Sequence, residues 1–149
     1  MKPTVPVALD AALREVKDMI KTETDARKRM NLISLVTVLI AIRRDWDSAA
    51  ASRVEDIEAM TNIFKRGAEL APEPLRQSLS EAVNQAEQNR GDLRMSALDA
   101  TLDRLKAVLI DLQIWLESNA SEEGQALLEE VYSFLKRRAS RLAMLKKMW

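Results

Sequence analysis

Two pairs of acids stand three residues apart in stretches with a helical pattern, Glu15 with Asp18 and Glu55 with Glu58. Side chains at that spacing share a helix face. Two such pairs brought together would offer an oxygen cage to a divalent cation, the chemistry of a metal-dependent hydrolase. The competing reading is a solvated face, because acids early in a helix also complement its dipole. Ser133-Phe134-Leu135-Lys136 matches Ser-x-x-Lys, in which a lysine one turn away deprotonates a serine, but neither Ser-Asp-Asn nor Lys-Thr-Gly accompanies it. The chain has no Cys and no His. That removes thiolate and imidazole nucleophiles, bases and metal ligands together, along with histidine phosphotransfer. Gly67, Gly91 and Gly124 stand alone, so no glycine-rich phosphate cradle forms. No catalytic set and no cofactor are expected.

Helical nucleotide pyrophosphohydrolases of the MazG type also use clustered acids. Their Glu-Glu-x-x-Glu followed by Glu-x-x-Asp does not occur here, where the paired acids come in the reverse order. A di-iron bundle needs Glu-x-x-His and is excluded with histidine. Residues Ala120 to Arg138, with Leu127-Leu128 ahead of Val131-Tyr132 and then Lys136-Arg137-Arg138, share apolar positions with the last hairpin of flagellin export chaperones. Any antiparallel hairpin needs those positions, and the N-terminal half shows no similar stretch, so no family is assigned.

Lys and Arg total 23, as do Asp and Glu, so no global field gathers polyanions. Locally the balance breaks. After Val131 the positive residues Lys136, Arg137, Arg138, Arg141, Lys146 and Lys147 occur without an acid, while Glu117, Glu122, Glu123, Glu129 and Glu130 precede them. Acids at a helix start and bases at its end follow the macrodipole. The same cluster would also dock an acidic partner. Aromatic residues that stack bases are not interleaved with it, which disfavours nucleic acid. Trp115 follows Ile114 on a helix that already has a leucine seam, a second apolar surface suited to a partner. The candidate partner-binding set is therefore Trp115, Arg137, Arg138, Arg141, Lys146, Lys147 and Trp149.

Six amphipathic stretches must position these residues. The first runs from about Pro6 to Lys21 with a stripe of Leu9, Leu13, Val16 and Ile20. The second follows Thr24 to about Trp46. It is apolar nearly all round between Leu32 and Ile42, which places it in the middle of the fold. Its run from Met30 to Ile42 covers thirteen residues, about 20 Å of helix against a bilayer core near 30 Å, too short to span. Ser52-Arg53-Val54-Glu55 reads as a capping box for a third helix ending near Gly67, although Asp47 or Ser48 would serve equally as its start. Pro72-Glu73-Pro74 predicts extended backbone before a fourth helix closed by Gly91. Asp92 caps a fifth, in which Leu98, Leu102, Leu105, Leu109, Leu112 and Leu116 keep a four-three spacing. After a short polar break the sixth returns antiparallel, with Leu128, Val131, Leu135, Leu142, Leu145 and Trp149 in the same rhythm, interrupted at Arg138.

The chain of 149 residues, 47% apolar and 31% charged, fits one domain with a buried core. The expected fold is all-α, an up-and-down, mostly antiparallel bundle of five to six helices over residues 1–149 with a long C-terminal helical hairpin. The expected function is non-catalytic: an adaptor, chaperone-like or regulatory module that offers apolar helix faces to another protein or a second copy, as a homodimer. A lipid or acyl carrier using the Leu-rich, Met-containing interior is the alternative, with the carboxylate hydrolase behind it. The first ten residues show no apolar leader pattern, so a cytoplasmic location is expected.

Overall fold

The computed structural model describes residues 4–119 and 121–146, with side chains as far as Arg141. It is all-helical: α1 (Val5–Thr22), α2 (Ala26–Asp45), α3 (Ala49–Leu70), α4 (Leu75–Gln88), α5 (Met95–Glu117) and α6 (Glu122–Lys146), with no strand among the described residues. None of these helices is long and apolar enough to cross a membrane. The chain gathers into two compact units, one of α1 and α2 with the end of α6 from Leu142, the other Ala49–Arg141.

In the larger unit α3, α4 and α5 pack on one another. The leucine seam of α5 is buried throughout, from Leu98 to Leu116. Around it lie Met60, Ile63 and Phe64 of α3, Leu79, Val83 and Ala86 of α4, and Leu127, Leu128, Val131 and Phe134 of α6. Burying each such side chain contributes roughly 1.5–3 kcal/mol, which is why the four-three spacing dictates the packing. Helices α5 and α6 form the antiparallel hairpin, and Tyr132 Oη donates to Glu117 Oε1 at 2.8 Å across it. Pairing of Arg66 with Glu130 ties α6 back to α3.

Local expectations fail at four places. Helix α3 starts at Ala49, directly after Ser48, the alternative start, so Ser52 to Glu55 lies inside it and no capping box forms. Gly67 does not stop that helix. It is buried in the last turn of α3, which continues to Leu70, and a Cβ there would stand 3.1 Å from Leu112 Cδ1 and 3.4 Å from Leu79 Cδ1, so glycine allows α3 to approach α4 and α5 closely. Pro72-Glu73-Pro74 makes a turn with a cis Glu73–Pro74 bond rather than extended chain. Asp92 lies ahead of the α5 N-cap, which is Arg94, and its carboxylate is taken up by the Arg94 guanidinium at 2.8 Å.

The largest departure concerns α2. None of its residues is buried, in contrast to the central place its composition predicts. Helix α1 packs along it, with Leu13 and Val16 as the buried residues of α1. A helix that is apolar all round carries no directional signal for where neighbours will lie, and one companion helix covers only one side of it.

Candidate interaction surface

Asp25 starts α2, its Oδ1 accepting the backbone N–H of Arg27 at 2.9 Å and of Lys28 at 3.1 Å. Two hydroxyls that would be polar on its surface turn inward to the helix, Ser34 donating to the Met30 carbonyl and Thr37 to that of Ile33, each at 3.1 Å. Arg43 fixes the side that meets α1, its Nε lying 2.5 Å from the Asp10 carboxylate. Leu32, Val36, Leu39 and Ile40 are half-buried. Elsewhere around the helix, large apolar side chains stand exposed among polar ones: Met30 is 62% exposed, Ile33, Leu35, Val38 and Ile42 between 40% and 46%, and Trp46 at the C-cap 45%. Singly exposed apolar residues are ordinary on soluble proteins, but Leu35, Val38, Ile42 and Trp46 share one side of the helix and form a stripe.

The predicted C-terminal cluster is placed differently. Arg138 and Arg141 converge on Asp56 of α3, the former at 3.5 Å and the latter in direct contact, with Arg141 also 4.0 Å from Glu55. Asp56 is buried, 7% exposed. Two of the expected docking cations are thus committed within the bundle. Arg137 and Lys136 are exposed beside this site, lining a groove with Ser133 and Ser140. Lys146 belongs to α6 with its side chain outside the described residues, and Lys147 and Trp149 lie outside them altogether. Trp115 is half-buried against the core, while Ile110 and Ile114 beside it are each 59% exposed.

Sequence reasoning passed over Asp56, although a signal existed. It falls in the α3 stripe four residues before Met60, where an apolar residue belongs, just as Arg138 breaks the α6 stripe. Two interruptions in two facing seams are the signature of a buried ion pair.

The carboxylate pairs do not assemble a metal cage. Among the described residues no group of three or more acids is placed to hold an ion. Asp18 is bound by Lys21 at 2.7 Å, and Glu58 lies 3.3 Å from Arg90. The acids with displaced titrations are all pushed down. The Lys21 ammonium lowers Asp18, the Lys65 ammonium lowers Glu87, and hydrogen bonds from the Arg94 guanidinium and backbone hold Asp92 at about 2. Hydrogen bonds from Gln113 and then Tyr132 lower Glu117, and the Glu117 carboxylate raises the Tyr132 phenol. The lowered carboxylates stay ionised near neutrality and suit surface pairing rather than proton donation, while the Tyr132 phenol keeps its proton. Ser133 and Lys136 are both exposed and share no hydrogen bond.

A cleft of about 330 Å³ opens in the larger unit, with Ile57, Ala86 and Leu98 among its apolar lining and Lys65, Glu87, Glu58 and Arg90 among its charged residues. Its volume is at the small end of ligand sites. No protein-family model, curated protein or solved structure matches the chain.

Proposed function

We propose that this chain is a non-catalytic interaction module, an adaptor, chaperone-like or regulatory helical bundle that engages protein through the apolar face of α2. One observation carries the reading: six large apolar side chains from Met30 to Trp46 are each at least 40% exposed, more than on any other single helix among the described residues, while the leucine seam of α5 is buried from Leu98 to Leu116. Leaving that much apolar area in water forgoes roughly 25 cal/mol per Å², which a bound partner would recover. The test is a photo-crosslinking amino acid at Val38 in the full chain, compared with the same group at exposed Asn84 on α4. Protein adducts specific to position 38 are expected. Adducts no more abundant than at position 84, or adducts to lipid alone, would defeat the reading.

The cleft beside Ile57 and Leu98 favours a second reading, carriage of a small amphipathic ligand. Its charged residues suit a polar head and its floor a short apolar tail. Native mass spectrometry showing no copurified small molecule, with no change in melting temperature on adding medium-chain fatty acids, would remove it.

A further inference from the structure

We infer that the occupant of the α2 face is a second copy of this chain, bound antiparallel through α2 about a two-fold axis midway between Leu35 and Val38. The inference rests on the interaction reading and adds the partner, orientation and register. At 100° per residue, Leu35, Val38, Ile42 and Trp46 form one stripe spaced by three, four and four, away from the side where Arg43 meets Asp10. The polar residues on this same side are arranged asymmetrically. Arg27, Lys28 and Asn31 head the stripe and Asp45 closes it. Arg29 and Arg44, which make the helix look basic at both ends, fall on other sides by the same geometry.

A stripe that is cationic at one end and anionic at the other is complementary to its own antiparallel image. With the axis placed as stated, Leu35 meets the partner's Val38, Asn31 meets the partner's Ile42, and Arg27 meets the partner's Asp45 on the same flank of the stripe. Lys28 then reaches the partner's Trp46, a cation over an aromatic ring. Each of these contacts occurs twice, as an isologous interface requires. A parallel arrangement would gather the cations of both copies at one end and both Asp45 carboxylates at the other, at a cost from like charges. A membrane surface would favour cations at both ends of the stripe, and the Asp45 end lacks them on this side. No hydrogen bond or ion pair within the chain engages the side chains of Arg27 or Asp45 among the described residues, so both are available. A pair of 20-residue helices is at the small end of stable interfaces, and dissociation on the order of micromolar follows.

Sedimentation equilibrium of the full chain from about 1 to 200 μM tests this, with circular dichroism confirming that each variant folds. The expected result is a monomer–dimer equilibrium that Val38→Asp shifts to monomer across the range. Arg27→Asp and Asp45→Arg each weaken dimerisation about tenfold, and the double exchange restores it to within about threefold. A wild-type chain that is monomeric throughout, a dimer indifferent to Val38→Asp, or a double exchange without recovery overturns the proposal. A monomeric wild type that still gives position-38 protein adducts would refute self-pairing alone and leave the interaction reading standing. A monomer that binds vesicles of anionic phospholipid through α2 would replace the second copy with a membrane surface.

Discussion

Helices α2 and α5 have comparable lengths and are both rich in Leu and Ile or Val, yet their fates are opposite. Helix α5 buries an unbroken seam from Leu98 to Leu116, whereas no residue of α2 is more than half-buried. The difference is periodicity. In α5 six leucines recur on one stripe, so one orientation against α3, α4 and α6 buries them all together and is far better than any other. In α2 apolar residues occur all round, so hydrophobicity alone selects no orientation and α1 covers one side only. Apolar content therefore measures how much surface seeks cover, and the spacing decides whether the chain itself can supply it.

This contrast is sharpest for side-chain truncation. Leu112→Ala, at a fully buried position of the seam, is expected to cost about 2–5 kcal/mol in urea unfolding, while Met30→Ala on α2 costs under about 0.5. Equal losses would erase the distinction between a packed and an open helix. Next in size comes the ion pair that replaces apolar contact between α3 and α6. Asp56→Leu should cost about 2 kcal/mol because the Arg138 and Arg141 guanidinium groups lose their shared acceptor, whereas Glu55→Ala, whose side chain is 75% exposed, should be near neutral. Adding Arg138→Leu to Asp56→Leu should recover part of the loss, and a double-mutant cycle measures how much.

Glycines divide along the same line. Gly67→Val forces methyl groups against Leu112 and is expected to cost about 1–2 kcal/mol, while a Cβ at Gly91 meets nothing within 4 Å and Gly91→Ala should change stability by less than about 0.5. The smallest effect concerns the rim of the cleft, where Lys65 holds Glu87 below its ordinary value of 4.5. A carboxylate lowered on folding stabilises the fold above its unfolded pKa, and that contribution fades as the pH falls below about 4.5 through the folded value. Lys65→Met should return the Glu87 titration, followed by carbon-13 NMR, toward 4.5; a curve unmoved by the substitution would show that the 2.7 Å contact is not made in solution.

Of the candidate site, the chemistry excluded by composition and the apolar character of α2 were legible in the residues themselves. Its position was not. The basic cluster was visible at Arg137, Arg138 and Arg141, but a run of like charge does not reveal that two of its members turn inward to Asp56. That requires knowing which face of α3 they meet. Asp56 and Arg138 each break a stripe, and only their juxtaposition converts two apparent flaws into one contact.

The order of helices, the leucine seam and the hairpin of α5 with α6 follow from local spacing, because a helix repeats every 3.6 residues and any periodic stripe must be buried as a unit. Neighbours alone determined three other properties: that α2 lies open, that Gly67 is a point of close approach rather than a stop, and that the Asp56 carboxylate has arginine partners. Each depends on what stands a few ångströms away across the fold, a distance that no pattern along the chain encodes.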